Sequence, residues 1–196
     1  FAGLILLSGV NPAMQRARHF FILMFLMRGM PFVDLAHLEK SNLNQGLLKY
    51  NRMKTGTPMS VEIIDSAYEL LSLLRNNHSS SCSDRPDYLF HILSGEYKRG
   101  EEGAYREYQS ALRKFNNHLK SLSRKLRLHS SVTSYTLRHS WATTAKYRGV
   151  PIEMISESLG HKSIKTTQIY LKGFELEERT KVNKQNYYYV RRFKIA

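Results

Sequence analysis

Cysteine and tryptophan each occur once in this 196-residue chain, and proline occurs only five times. A lone Cys82 builds no disulfide framework and suits a reducing compartment. Long apolar runs are missing too. The run FFILMFLM (20–27) falls far short of the roughly 20 residues that cross a bilayer, and Arg16, Arg18 and Arg28 flank it closely. The opening FAGLILLSGV has neither an initiator Met nor a basic leader segment, so it does not read as a signal peptide. We expect the chain to begin between the domains of a longer protein and to work in the cytosol. No internal repeat, low-complexity tract or metal-ligand spacing of Cys, His, Asp and Glu is present. Acidic residues are scarce: 16 Asp and Glu stand against 30 Lys and Arg, giving a net charge of +14. That imbalance is the electrostatic footprint of a phosphate-backbone binder.

What is present divides into readable segments. Asn11-Pro12 is a cap followed by a first-turn proline, opening a helix that runs to Arg28, where Gly29 can close it. Pro31 opens a short helix holding Phe32, Leu35 and Leu38. GLLKYNRMK (46–54), TGT and PMSV have the pattern of a hairpin with Lys54 at its tip. The segment 61–77 is amphipathic, with Ile64, Ala67, Leu71 and Leu74 on one stripe. The polar segment 78–87 reads as a mobile loop. A long helix over 104–128 turns Tyr108, Leu112, Phe115, Leu119 and Leu122 inward. Its other face carries Arg106, Arg113, Lys114, Lys120, Arg124, Lys125 and Arg127, with DNA phosphates as the expected partner. After residue 173 the pattern is helical again, and 174–196 ends in an aromatic, basic tail that reads either as a partner-binding element or as a poorly ordered terminus.

The densest chemistry lies in residues 134–171. Ser134 is placed to cap a helix containing Leu137, Arg138, His139 and Trp141, the last read as core. Gly149 closes that helix and Pro151 starts another, which buries Ile152, Ile155 and Leu159 and stops at Gly160. His161 follows the helix end, and Tyr170 follows a turn containing Thr166 and Thr167. Cleaving a phosphodiester without a metal requires fixed cations and donors on the non-bridging oxygens, an in-line nucleophile and an acid for the leaving oxygen. Arg138 has the fork geometry for phosphate, His161 and His139 can donate, Lys54 can protonate a leaving oxygen, and the Tyr170 phenol can attack phosphorus.

An Arg-His pair inside a helix, then Leu159-Gly160-His161, then Tyr170, resembles the C-terminal signature of the tyrosine recombinases, or phage-type integrases. The likeness covers roughly residues 12–175 and is strongest to integrases of Bacteroides-group mobile elements. It implies a mainly α-helical (α+β) catalytic-domain fold with a small antiparallel β-sheet, occupying residues 1–196 as one domain. It also implies site-specific DNA recombination with no cofactor and no metal. Tyr170 would form a 3′-phosphotyrosyl link, Lys54 would protonate the 5′-oxygen, and Arg138 and His161 would stabilise the transition state. Lys162 and Lys165 join Arg113, Lys120 and Arg124 as DNA-contacting residues. The implied partners are double-stranded DNA, further copies of the chain in a tetrameric synapse, and an accessory directionality factor. A resolvase-like or topoisomerase IB-like outcome and a non-catalytic DNA-binding module are the alternatives.

Two positions depart from the family pattern. Tyr135 stands where a histidine is usual, three residues before Arg138; a phenol can still hydrogen-bond there but is no base near neutral pH. The first arginine of the family pattern is replaced by Pro31, in register with Gly29-Met30 and Asp34. Arg28, about one turn earlier, is the first choice as substitute. Arg52, two residues before Lys54, is the second, and the absence of any substitute is the third.

Overall fold

The computed structural model describes residues 9–75 and 86–171, with residues 180 and 184 beyond them. The mobile-loop expectation for 78–87 and the expectations for the C-terminal tail fall almost wholly outside the described residues. The described chain is mainly helical, with one small antiparallel sheet, as the sequence implied.

Helix α1 (Pro12–Leu26) starts where the Asn11 side chain accepts the Met14 amide at 2.8 Å and Pro12 fills the first turn. It buries Met14, Ala17, Phe20, Phe21, Leu23 and Met24, so it is the axis of the main core. Arg28 and Gly29 both take left-handed backbone angles (φ 58° and 67°), which end the helix and reverse the chain. Helix α2 (Phe32–Ala36) follows at once and packs Phe32 face to face on Phe115, ring centroids 4.4 Å apart.

Strands β1 (Leu43–Asn44), β2 (Leu47–Asn51) and β3 (Pro58–Glu62) form a three-stranded antiparallel sheet in the order β1-β2-β3. Asn51 pairs with Pro58, and residues 52–57 close the hairpin through Arg52 N–H to Thr57 O (2.9 Å) and Gly56 N–H to Arg52 O (2.8 Å). Pro58 is tolerated because β3 is an edge strand.

Helix α3 (Asp65–Leu74) begins later than the amphipathic pattern suggested, because Val61 and Glu62 belong to β3. Ala67, Leu71 and Leu74 are buried, whereas Ile64, expected on the same stripe, precedes the helix and is 53% exposed.

Helix α4 (Glu102–Lys125) buries Phe115, Leu119 and Leu122 and leaves Tyr108 and Leu112 half-buried. Six of the seven basic residues lie exposed on its other face, while Arg127, also exposed, falls past the helix end at a left-handed φ of 51°. Asn116 on α4 accepts the Ser134 amide at 2.9 Å and so seats the start of α5 (Ser134–Tyr147). The cap of α5 is Thr133 rather than Ser134, in a reciprocal box with Thr136. Gly149 (φ 80°) follows the helix as expected. Pro151 caps α6 (Ile152–Ser158), which buries Ile155 and leaves Ile152 half-buried, and Leu159 follows it into the core. Helix α7 (Ile164–Tyr170) is capped by Ser163, so Thr166 and Thr167 lie within a helix and not in the turn that the sequence suggested.

The core divides in two. The large part gathers α1 to α4, the sheet and Leu137. A smaller part joins Ala142, Ala145, Ile155 and Leu159, with Trp141 half-buried against it. Helix α5 contributes to both, and the seam between them carries the site.

Candidate active site

Arg138 projects from α5 at that seam and is 4% exposed. Its Nη1 donates to the Gly29 carbonyl at 3.1 Å, and its Nη2 donates to the Leu159 carbonyl. The sharp reversal after α1 explains the first bond. Gly29 can hold its left-handed angle with its α-carbon pressed on α5, where an added Cβ would lie 3.1 Å from Trp141 Cβ and 3.4 Å from the Arg138 Cα.

Arg52 reaches the same place from the hairpin and is 7% exposed. Its Nε donates to Asp34 Oδ2 at 3.1 Å and its Nη1 to the Leu159 carbonyl. Asp34 is itself buried on α2, and its other oxygen accepts the Met53 amide at 2.9 Å. One carboxylate therefore fixes both Arg52 and the backbone leading to Lys54. Burial pushes the Asp34 carboxyl up, against the opposing pull of the Met53 amide, Arg52 and Arg138. Gly160 makes room for the arginine, since a Cβ there would lie 2.7 Å from Arg52 Cδ and 2.6 Å from Met59 Sδ.

His161 completes the cluster. Its Nε2 lies 3.2 Å from Arg138 Nη2, and its Nδ1 lies 2.8 Å from the hydroxyl of the fully buried Thr167. Burial is the largest cause lowering its pKa to about 4, followed by the charges of Arg138, Arg52 and Lys54, so the ring is neutral at pH 7. Lys54 is exposed on the hairpin turn.

The sequence-derived candidates thus separate. Arg138, His161 and Arg52 are drawn into one hydrogen-bonded group, with Lys54 close enough for its charge to act on His161. Arg28, the first choice to replace the missing arginine, bonds the Ser60 carbonyl on β3 at 3.3 Å, apart from this group. Its left-handed backbone belongs to the helix reversal rather than to a further turn of α1, so it is not delivered one turn along the helix as the spacing implied. Tyr135 is 56% exposed on the first turn of α5, its ring edge-on to His139 with centroids 4.7 Å apart. Lys162, just before the Ser163 cap, and Lys165, in the first turn of α7, are exposed, as are Arg113, Lys120 and Arg124 on α4. Tyr170 is the last residue of α7.

Sequence reasoning passed over Asp34, Thr167 and the two carbonyls. Asp34 entered it only as a register mark. An acid buried in a short apolar helix (FVDLA) was a signal that could have been read, because a buried carboxylate needs a cation. Backbone carbonyls leave no mark in a sequence.

The phage integrase family model matches residues 6–176. The tyrosine recombinase XerA of Thermococcus kodakarensis is 28% identical over 169 residues, covering 85% of this chain and 54% of that protein. Its counterpart from Pyrococcus furiosus is 30% identical over 151 residues, covering 76% and 48%. The chain spans about half the length of these relatives. Among solved structures, the XerH site-specific recombinase bound to a palindromic difH substrate in a post-cleavage complex has a TM-score of 0.64 at 18% identity. That match covers 93% of this chain and 49% of the other. The Tn1549 transposon integrase in complex with a circular intermediate DNA has a TM-score of 0.62 at 12% identity, covering 93% and 62%. The fold is that of the tyrosine recombinase catalytic domain.

Proposed function

The chain belongs to the phage integrase family, and on that premise we propose that it is the catalytic domain of a site-specific DNA recombinase that cuts and rejoins DNA through a phosphotyrosyl intermediate. The observation that carries this reading is the pair of buried guanidiniums on one carbonyl. Two buried cations here face a single buried carboxylate, Asp34, among the described residues. The surplus positive charge is costly unless an anion enters, and a phosphodiester is such an anion. Arg52 spends Nε and Nη1 on protein acceptors, which leaves Nη2 for a phosphate oxygen.

In this mechanism Arg52 supplies the first arginine of the family pattern and Arg138 the second. Together they neutralise charge developing on the non-bridging oxygens. The Tyr170 phenol gives up its proton to solvent water and attacks phosphorus, forming the 3′-phosphotyrosyl bond as the bond to the 5′-oxygen breaks. Lys54, on the hairpin turn, donates the proton that the 5′-oxygen takes up. Attack by a 5′-hydroxyl of the partner strand reverses these steps, so bond energy is conserved and no nucleotide triphosphate is consumed. His161, neutral beside the two arginines, gains proton affinity once a phosphate offsets the neighbouring cations, and then donates to that phosphate. The family likeness further supports a four-protomer synapse on double-stranded DNA and an accessory directionality factor. We further propose an origin in a bacterial mobile element of the Bacteroides type, on the resemblance carried by the run from Arg138 to Tyr170.

The test is covalent trapping on a nicked site whose short 5′-hydroxyl fragment diffuses away after cleavage, with the products run on a denaturing gel. We expect a protein–DNA adduct from the wild type and none from Tyr170→Phe. No adduct on a cognate site would favour a non-catalytic DNA-binding module.

A further inference from the structure

Which ring nitrogen of His161 carries its proton follows from the donors around it. Arg138 Nη2 has only hydrogens to offer, so at 3.2 Å His161 Nε2 faces it with a lone pair. The proton of the neutral ring then sits on Nδ1, and the hydroxyl of Thr167 lies within reach of Nδ1 at 2.8 Å. The opposite tautomer would set an N–H against a guanidinium N–H, a mismatch that is costly in a half-buried site. Thr167 has no exposed surface, so water does not compete for the hydroxyl.

We infer that Thr167 is a positioning residue: its Oγ1 accepts the Nδ1–H of His161, holds the ring as that tautomer and turns Nε2 toward Arg138. Thr167 belongs to α7, three residues before Tyr170, so the same helix that ends at the nucleophile also sets the histidine. The nitrogen that takes up a proton is thereby the one facing the arginine pair, and the protonated ring presents an Nε2–H to an entering phosphate. Without Thr167, either nitrogen of the ring can turn to the pocket, and the donor is correctly aimed for only part of the time. The inference rests on the recombinase reading for its catalytic consequence, though not for the tautomer itself.

Both parts are tested on the wild-type chain, Thr167→Val, which keeps the shape and loses the acceptor, and Thr167→Ser, which restores it. Long-range ¹H–¹⁵N correlation spectra of the imidazole should read His161 as the Nδ1–H form in the wild type and in Thr167→Ser, and as the Nε2–H or an averaged form in Thr167→Val. The rate of adduct formation should fall about tenfold or more in Thr167→Val and return toward wild type in Thr167→Ser, the loss expected when a buried polar group is left unpaired. A wild-type ring in the Nε2–H form, or an unaltered Nδ1–H form in Thr167→Val, would overturn the inference. So would an unchanged adduct rate in Thr167→Val beside a null Tyr170→Phe, which leaves the recombinase reading standing. If the wild type makes no adduct, that reading fails, and the spectra alone decide the role of Thr167.

Discussion

Arg52 and Arg138 come from a hairpin and from a helix more than eighty residues further along the chain, yet both donate to the carbonyl oxygen of Leu159. Two like charges are held together because each has a second anchor: Asp34 for Arg52 and the Gly29 carbonyl for Arg138. Leu159 is the residue after α6, where helix carbonyls lack intrahelical partners and the macrodipole is negative, so the site draws on a charge already present in the backbone.

Arg52→Ala should lower the rate of covalent adduct formation by about 100-fold or more, the loss typical when one preorganised donor to a transition-state oxygen is removed. Arg28→Ala, which loses one bond to Ser60 O at 3.3 Å, should stay within about threefold of wild type. Trapping gels run in parallel on the two variants make the comparison. The reverse ranking would return the role to Arg28.

Gly160→Ala should destabilise the fold and the site together. A side chain there meets Arg52 Cδ and Met59 Sδ and must also adopt φ 64°. Strain and overpacking together cost roughly 2–4 kcal/mol, a fall in Tm of order 10 °C for a domain of this size. Thermal unfolding followed by circular dichroism measures the loss.

Stability should fall as pH drops from about 6.5 to about 4. In that interval the unfolded His161 takes up a proton that the folded ring, titrating near 4, refuses, so the unfolded state binds more protons and gains with acidity. Above pH 6.5 both forms are neutral and His161 adds nothing. His19 and His37 are lowered in the same direction, and the raised Asp34 carboxyl acts in the opposite one. The part owned by His161 is therefore the difference between wild type and His161→Gln in urea titrations across this range. The variant should have the shallower slope.

The exposed basic face of α4 predicts a measurable salt dependence. Replacing Arg113, Lys120 and Arg124 with Ala should weaken binding to duplexes of any sequence. It should also flatten the plot of log affinity against log salt by about 0.9 for each phosphate that the protein no longer neutralises. Fluorescence anisotropy between low and physiological salt reads both. A slope equal to wild type would mean that this face is only solvated.

Local chemistry carried much of the architecture in the sequence itself. Asn11-Pro12 marked the first helix, TGT the hairpin turn and Gly149-Pro151 the break between α5 and α6, because caps and turns are determined by a few adjacent residues. The net charge and the run from Arg138 to Tyr170 pointed to phosphate chemistry for the same reason: residue type and spacing were enough. For the replacement of the missing arginine the sequence put Arg28 before Arg52, the reverse of the proposal drawn from the fold. Arg28 is close in sequence, but the left-handed pair Arg28-Gly29 turns the chain away from a continuing helix, and Arg52 arrives by strand pairing and a salt bridge to Asp34. Thr167 was read as a turn because threonine clusters favour turns, and it became a helical partner of His161 once Ser163 capped α7. The sequence alone therefore determined which kinds of group are present and where the chain bends. Tertiary packing decided which guanidiniums share a carbonyl, since that depends on contacts between segments far apart in the chain, and on carbonyl groups that every residue carries alike.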